Sequence, residues 1–366
     1  MSHPHRRLLI VLANGGRGGM QSQVRLMAGE LARRGHAVTL AVGPGEFAPV
    51  DGTVLVRLPA LSSRHPLRFR RALRRVVRVV QPDVTHGHGL RLAPFFRWAR
   101  VPRPVVTCHG IDPERARRTI DAVRYSAVPV VACGEGPRLL LASHGLTSRV
   151  INNALGESPE PRTRDELLRT FDLSGTRPIV VLPARYSEQK NHVQLLSALR
   201  AVRLTLGDDA PDVVCVGDGP LFAEIAAEAR VPGERPLVEC RPFSPHASTW
   251  LAASDFFILP SRWEGQPLVV LEALAAGLSV VSSTPTGVED LIFDGVNGRR
   301  VTGPAGLADT IVEWCRDPAS RPADATTTRQ LLAQHALDVV ADATEQLYTE
   351  LFGGGDERSS SARVAG

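Results

Sequence analysis

Two glutamates flank the start of a predicted helix at a spacing that suits one extended ligand. Glu264 lies just before a helix predicted from Leu268 to Ala276, and Glu272 lies more than one turn inside it. At 1.5 Å of rise per residue, about 10 Å separates them. The free N–H groups of the first turn lie between them and favour an anion such as a diphosphate. Carboxylates accept hydrogen bonds from paired hydroxyls, so the segment predicts a site for a sugar, a diphosphate and a ribose in a row.

Lys190 stands out because the other 42 of the 43 basic residues are arginines. It follows Arg185 at the end of a predicted strand. An ammonium is a compact point charge, whereas a guanidinium is a wide planar fork. We therefore infer that Lys190 has a function that an arginine could not perform. The alternative is that this lysine was retained by chance in a genome that favours arginine codons.

Two alternating strand and helix patterns position these residues. Residues 7–13 form an apolar strand, followed by a glycine-rich turn, a helix and a strand at 37–42, which is a βαβ unit. The segment 152–166 has the composition of a linker, and the pattern restarts after it. Buried parallel strands with polar loops at their C-terminal ends are typical of doubly wound sheets, which bind ligands at that edge. The further predicted strands are 82–89, 104–110, 129–136, 178–184, 212–220, 236–243, 255–261 and 278–283.

These patterns predict an α/β protein with two domains, each containing its own parallel sheet. The N-terminal domain covers 1–160 and the C-terminal domain covers 161–335. A last helix is expected at 336–352, and a flexible tail at 353–366.

The composition excludes several classes of protein. Hydrophobic residues make up 43% of the chain and charged residues 22%, which is ordinary for a globular protein and excludes wholesale disorder. The net charge of +5 is mild, and no nucleic-acid-binding motif accompanies it. Five widely spaced cysteines without a CxxC pattern indicate reduced thiols. We expect a cytoplasmic protein without a membrane-spanning helix, because no apolar run reaches about 18 residues.

The segment EGQPLVVLEALAAGLSVV resembles the signature EGxPxxxLEAxAxGxPVV of retaining glycosyltransferases of family 4, with Ser279 in place of a common proline. The resemblance implies the GT-B fold, in which two Rossmann-like domains face a cleft and a C-terminal helix returns toward the N-terminal domain. It continues in TGVEDLIFDGVNGRRV (286–301), PARYSEQKN (183–191) and VGDGP (216–220), and more weakly in 18–40, 82–88 and 106–110.

The resemblance also implies roles for individual residues. Arg185 and Lys190 would hold the donor diphosphate, where charge builds on the leaving group. Glu272 would bind the ribose, Glu264 the sugar hydroxyls, and His109 would be the histidine that contacts the sugar. The other donor-binding residues implied are Gly18, Gly19, Arg241, Phe243, Gln266, Pro267, Leu268 and Val269. His86 and His88 are either acceptor contacts or packed side chains.

The implied reaction transfers a hexosyl or N-acetylhexosaminyl group from a UDP-sugar with retention of configuration. No side chain is evident as a nucleophile for double displacement, so the family's front-face mechanism is expected. The chain contains no Asp-x-Asp pair, so we expect no catalytic metal, and no other cofactor is implied.

The acceptor is the least defined partner. A small polar natural product, as in antibiotic biosynthesis, is the first interpretation, because no membrane anchor is visible. A lipid or polysaccharide intermediate is the alternative, favoured by the arginine-rich segment 64–78, which would make a weak peripheral membrane contact. The preferred interpretation of that segment itself is an outer helix whose apolar stripe packs on the sheet while its arginines face solvent. A nucleotide-sugar epimerase of the same fold and a non-catalytic binding subunit are the other functions considered.

Overall fold

The computed structural model describes residues 5–62, 64–157, 160–284 and 286–352, so the predicted tail lies outside the described residues. The chain divides into two compact units, with boundaries after Gly156 and after Ala333. The first unit contains the N-terminal part of the chain together with the last helix. The second unit contains everything between the two boundaries.

The first unit is built on a seven-stranded parallel sheet with the strand order β3-β2-β1-β4-β5-β6-β7. The order reverses between β1 and β4, which is the switch point where doubly wound sheets bind ligands. The strands are β1 (Arg7–Leu12), β2 (Ala37–Val42), β3 (Thr53–Arg57), β4 (Val84–His88), β5 (Pro104–Cys108), β6 (Val130–Ala132) and β7 (Arg149–Val150). The helices are α1 (Gly19–Arg33), α2 (Pro66–Val80), α3 (Ala93–Ala99), α4 (Ala116–Ser126), α5 (Glu135–Ser143) and, at the end of the chain, α12 (Leu337–Phe352).

Each face of this sheet has its own core. Side chains alternate along a strand, so β1 sends Leu8 and Ile10 to one face and Leu9 and Val11 to the other. The first of these faces packs against α1 and α12, and the second packs against α2, α3 and α4. Helices therefore cover both faces, which explains the continuous apolar runs of the strands.

Helix α2 packs its apolar stripe on the sheet, as the outer-helix interpretation predicts. Phe69, Leu73 and Val76 are buried, and Val77 and Val80 are half-buried against the same core. The opposite face of α2 carries exposed arginines and no acid, since the helix contains none.

Helix α12 returns to the first unit and is fixed to α1 by a partly buried network of charges. Arg34 donates to Glu345 at 2.6 Å and also contacts Asp342. Glu345, which is 5% exposed, also lies 2.8 Å from His36 Nε2. Because the Arg6 N–H donates to His36 Nδ1, the Nε2 atom of the neutral ring carries the proton and donates to Glu345.

The second unit has two three-stranded parallel sheets, in the orders β10-β9-β8 and β11-β12-β13. The strands are β8 (Ile179–Pro183), β9 (Asp212–Val216), β10 (Glu239–Arg241), β11 (Phe257–Leu259), β12 (Val280–Ser282) and β13 (Gly298–Arg300). The helices are α6 (Arg164–Phe171), α7 (His192–Leu206), α8 (Phe222–Glu228), α9 (Leu268–Ala275), α10 (Gly303–Arg316) and α11 (Ala325–Ala333).

The two sheets of the second unit meet through polar contacts rather than through a ladder. The Asp255 N–H donates to the Ile179 carbonyl at 2.8 Å, and the Asp255 carboxylate accepts from the Ile179 N–H at 2.7 Å. Ser254 Oγ accepts from the Val181 N–H at 3.2 Å. The side chains of Asp255 and Ser254 thus accept hydrogen bonds from N–H groups at the edge of β8. A neighbouring strand would otherwise pair with those groups.

The described residues include no helix that is long and apolar enough to cross a bilayer. All five cysteines are free thiols, as their spacing predicts.

Candidate active site

Helix α9 begins where the signature predicts. Pro267 is its N-cap residue, and the Val270 N–H is the first to donate back, to the Pro267 carbonyl. The N–H groups of Leu268 and Val269 precede that bond, so they are available to an anion at the helix start. The helix ends at Ala275, and Gly277 follows with φ of +80°, which glycine adopts at no steric cost.

Lys190 and Glu264 form an ion pair ahead of this helix. Lys190 Nζ lies 2.6 Å from Glu264 Oε1, and the side chains are 21% and 6% exposed. Gln189 Nε2 donates to the Trp263 carbonyl at 3.0 Å and lies 3.5 Å from Glu264 Oε2. The loop after β8 and the loop after β11 are therefore joined at the two residues expected to bind the donor.

A glycine-rich turn after β9 fixes the loop that carries Arg185. A Cβ on Gly217 would lie 2.0 Å from the Ala184 carbonyl oxygen, and a Cβ on Gly219 would lie 2.2 Å from that of Tyr186. Only glycine allows this approach. Tyr186 is fully buried and donates from its hydroxyl to the Cys215 carbonyl at 2.7 Å, whereas Arg185 is exposed. The buried tyrosine thus anchors a loop whose arginine remains open to solvent.

The loop that follows β12 packs against the backbone of Glu264 through Thr286 and Gly287. Gly287 has φ of +86°, and a Cβ there would lie 2.3 Å from the Glu264 carbonyl oxygen. The Glu264 N–H donates to the Thr286 carbonyl at 3.2 Å. Gln266 is buried and donates to Asp290 at 2.9 Å, so its side chain holds this loop rather than pointing to solvent.

Glu272 lies inside α9 and is half-buried. Burial raises the pKa of its carboxyl above the ordinary value. A half-buried carboxylate one turn beyond the helix start has the chemistry of an acceptor for paired hydroxyls.

Arg241 and Phe243 lie at and just beyond the end of β10. The guanidinium of Arg241 lies 3.1 Å from a carboxylate oxygen of Glu239 and 5.8 Å from the centre of the Phe171 ring. The side chain of Phe243 is 41% exposed. Their role in base binding stays a prediction.

In the first unit the glycine-rich loop joins β1 to α1. A Cβ on Gly45 would lie 2.3 Å from the Gly15 carbonyl carbon, so two glycine-containing segments pack backbone to backbone. Gly18 is the N-cap of α1, and the first helical bond runs from Ser22 N–H to the Gly18 carbonyl. The N–H groups at Gly19 and the next positions lie at the switch point of the sheet, where an anion is stabilised.

His109 directly follows β5 at the C-terminal edge of the same sheet and is half-buried. Burial lowers the pKa of its imidazole to about 4, so the ring is neutral near pH 7. His86 and His88 lie in the neighbouring strand β4 and are 6% and 8% exposed. Their role as acceptor contacts stays a prediction, and their burial favours the alternative of packed side chains.

The predicted residues divide between the two units, and within the second unit a direct contact joins Lys190 to Glu264. The second unit holds Arg185, Lys190, Arg241, Phe243, Glu264, Gln266, Pro267, Leu268, Val269 and Glu272 around the ends of its strands. The first unit holds Gly18, Gly19, His86, His88 and His109 at the edge of its sheet. No sequence pattern singles out Gln189 or Gly287 as supporting residues, although both lie in segments that carry the resemblance.

Comparison with known proteins gives matches along most of the chain. The family model described as Glycosyltransferase Family 4 matches residues 17–155, and the model described as Glycosyl transferases group 1 matches residues 177–317. The putative glycosyltransferase EpsF of Bacillus subtilis is 24% identical, over 95% of this chain and 96% of its own length.

Two further relatives match about half of their own length. The putative teichuronic acid biosynthesis glycosyltransferase TuaC of Bacillus subtilis is 27% identical over 58% of this chain and 56% of its own. The alpha-D-kanosaminyltransferase of Streptomyces kanamyceticus is 28% identical over 51% of this chain and 49% of its own.

The fold is that of solved GT-B glycosyltransferases. Anabaena HepE, crystallised in complex with UDP-glucose, superposes with a TM-score of 0.78 at 17% identity, over 94% of this chain and 100% of that one. The two family models together match most of the chain, and the chain therefore belongs to the group 1 glycosyltransferases of family 4.

Proposed function

We propose that this glycosyltransferase moves a hexosyl or N-acetylhexosaminyl group from a UDP-sugar to an acceptor hydroxyl with retention of configuration. The observation that carries the proposal is the 2.6 Å contact between Lys190 and Glu264 ahead of α9. A cation, a carboxylate and free helix N–H groups then lie side by side, as a diphosphate linked to a sugar requires. The structure of HepE with UDP-glucose supports UDP as the carrier.

The ammonium of Lys190 has three donors, so it can keep one on Glu264 and offer another to a phosphate oxygen. Arg185 is exposed on the same loop and adds a second positive charge. As the bond between the sugar C1 and the phosphate oxygen breaks, the electron pair leaves on the nucleoside diphosphate, and these two cations stabilise that charge. We propose that they take the place of a catalytic metal.

The acceptor hydroxyl attacks C1 on the face from which the phosphate departs, and its proton passes to the leaving phosphate oxygen. Glu264 and His109 would hold hydroxyls of the transferred sugar. Since burial keeps His109 neutral near pH 7, its ring serves as a hydrogen-bond partner rather than as a charge.

For the acceptor, the structure favours a lipid or polysaccharide intermediate at a membrane surface, the alternative of the sequence analysis. Helix α2 exposes five arginines and no acid: Arg68, Arg71, Arg74, Arg75 and Arg78. The guanidinium of Arg70 on α2 lies 4.6 Å from the ring centre of Trp98 on α3, and that of Arg97 on α3 lies 5.7 Å from the ring centre of Tyr125 on α4. Arginines interleaved with exposed aromatic rings suit an anionic lipid surface. The name of TuaC, which places it in teichuronic acid biosynthesis, supports a polysaccharide product.

A small polar natural product remains the second candidate. The alpha-D-kanosaminyltransferase, which is similar over half its length, supports it. Flotation with vesicles separates the two candidates. Binding to anionic vesicles that is lost in Arg71→Ser/Arg74→Ser/Arg78→Ser supports the membrane acceptor, whereas no binding at low salt supports the natural product.

The donor is tested by incubating the enzyme with UDP-glucose, UDP-galactose, UDP-N-acetylglucosamine and GDP-mannose and measuring release of nucleoside diphosphate. We expect turnover with a UDP-sugar, and Lys190→Ala as the matched inactive control. Release from GDP-mannose alone would overturn the assignment of UDP.

A further inference from the structure

Three histidines at the edge of the first unit's sheet form a contiguous stack. Residues two positions apart in a strand lie on the same face, so His86 and His88 share one face of β4. Their ring centres lie 4.6 Å apart, and the angle between the ring planes is 20°. His88 and His109 are stacked in turn, with ring centres 5.1 Å apart at 25°. His88 Nδ1 and His109 Nε2 are joined by a hydrogen bond of 2.8 Å. The half-buried His109 therefore lies at the outer end of a buried row.

His86, at the inner end of the row, has a hydrogen-bond partner at each of its ring nitrogens. His86 Nδ1 lies 2.7 Å from the hydroxyl of Tyr348, and His86 Nε2 lies 2.7 Å from Thr107 Oγ1. Tyr348 belongs to α12 and is 1% exposed, and Thr107 lies in β5 two residues before His109. The C-terminal helix is thus connected to the histidine row by a direct hydrogen bond.

The inner two histidines are too enclosed to bind a sugar themselves. The cavity beside them, which Tyr348 and Asn153 also line, has a volume of about 40 Å³. Small-molecule sites measure roughly 300–1000 Å³. His88 instead contacts the ring of His109.

That contact decides which nitrogen His109 offers. Burial lowers the pKa of His86 to about 3 and that of His88 well below its ordinary value, so all three rings are neutral near pH 7. Between two neutral imidazoles one nitrogen donates and the other accepts. His109 Nε2 is engaged by His88, which leaves Nδ1 as the nitrogen for a sugar hydroxyl and couples the tautomer of His109 to that of His88.

We propose that His88 is a positioning residue, which sets the ring orientation and tautomer of His109, and that Tyr348 of α12 supports it through His86. This inference rests on the proposed contact between His109 and the transferred sugar. His88 then acts on turnover without touching the substrate.

Three variants test the proposal. His88→Leu removes the hydrogen bond, whereas His88→Asn keeps a polar atom near the position of Nδ1. We expect His88→Leu to lower kcat roughly tenfold to 100-fold, the size of effect that a misplaced catalytic group produces. We expect His88→Asn to recover most of that loss. The affinity for free UDP, which has no sugar, should stay unchanged in both, and a purely structural defect would instead lower it along with kcat.

A double-mutant cycle with His109→Ala identifies the route of the effect. If His88 acts through His109, His88→Leu costs little more once His109 is absent. Fully multiplicative losses, or a His88→Asn variant as slow as His88→Leu, would overturn the proposal. Tyr348→Phe should lower kcat in the same direction by a smaller factor.

The ring of His109 is also observed directly, without substrate. In ¹⁵N spectra of the histidine side chains, with the resonances of His109 assigned from their loss in His109→Ala, His88→Leu should shift the Nδ1 and Nε2 signals. Unchanged signals would refute positioning by His88. If the signals shift but His109→Ala retains wild-type turnover, the sugar contact is wrong while the coupling of the two rings stands.

Discussion

Lys190 Nζ lies 2.6 Å from Glu264 Oε1, so the protein's single lysine is paired with the first glutamate of the signature. The two residues lie on loops that follow different strands, β8 and β11, and Gln189 joins the same loops beside them. Each charge is held in place by the other, which keeps both ready for a donor that needs a cation for its phosphates and a carboxylate for its sugar.

Removal of the ammonium should affect chemistry far more than folding. We expect Lys190→Ala to lower kcat roughly 100- to 1000-fold, as the loss of one group that stabilises developing negative charge does. Lys190→Arg should not restore it, because a planar guanidinium cannot replace the point charge between Glu264 and a phosphate. Initial rates and thermal unfolding measure the two effects.

Arg262→Ala, which breaks an exposed pair with Glu188 on the same loops, is the matched control and should behave as wild type. Equal losses of activity and stability in Lys190→Ala would make Lys190 structural.

Glu272 should bind free UDP in a manner that depends on pH. Its folded pKa is raised by burial, so the carboxylate takes up a proton at a higher pH than an unfolded glutamate does. Acidification through that pKa removes an acceptor for the ribose, and we expect the Kd for UDP to rise as the pH falls. The same protonation favours the folded state, so the Glu272 contribution to stability increases as the pH falls toward the ordinary glutamate pKa.

Titration calorimetry with UDP over a pH series tests this, with Glu272→Gln as the control for the titration of the phosphates. The glutamine variant should bind more weakly at neutral pH and lose the extra dependence on acid. An affinity equal to that of wild type in both Glu272→Ala and Glu272→Gln would reject the ribose role.

The loop after β12, which packs against Glu264, should not tolerate a side chain at Gly287. Gly287→Ala combines a positive φ, which costs about 1–2 kcal/mol, with a Cβ that would lie 2.3 Å from the Glu264 carbonyl oxygen. We expect a loss of stability above that figure and a fall in kcat, because Glu264 must shift. Gly295→Ala is matched, since φ is +75° there and no atom lies within 4 Å of the added Cβ. It should cost about 1–2 kcal/mol in denaturant unfolding and leave kcat unchanged. Identical behaviour of the two variants would show that the contact with Glu264 has no effect.

The charge network that joins α12 to Arg34 and His36 should contribute to the stability of the first unit. Glu345→Ala removes the partner of His36 and one partner of Arg34, both of which are largely buried. We expect a loss of about 3 kcal/mol, because a buried polar pair is broken from one side. Glu350→Ala on the same helix breaks an exposed pair with Arg149 and should cost less than about 1 kcal/mol. Denaturant unfolding of the full chain measures both, and equal costs would contradict the assignment.

The sequence predicts the elements whose chemistry is local. The run from Leu8 to Leu12 is apolar because both faces of β1 are covered, and Pro267 with Gly277 marks the limits of α9 through backbone preferences that depend on no distant contact. The segments that carry the signature are therefore found at the ends of strands, as expected.

The elements that the sequence analysis missed depend on distant partners. Strand β3 is a half-exposed edge strand, and β13 reads Gly-Arg-Arg, which no strand pattern indicates; each exists because a neighbouring strand pairs with it. The burial of His86 and His88 depends on Tyr348, which lies 262 residues after His86. No spacing within the HGH segment reveals that contact.

The return of α12 to the first unit orders events during synthesis on the ribosome. Residues 157–333, the whole of the second unit, leave the ribosome before residues 337–352 do. The sheet made from the earliest residues therefore waits, with one apolar face covered by α1 alone, until the last helix emerges to complete the cover. The half of the protein that is translated first is the half that is completed last.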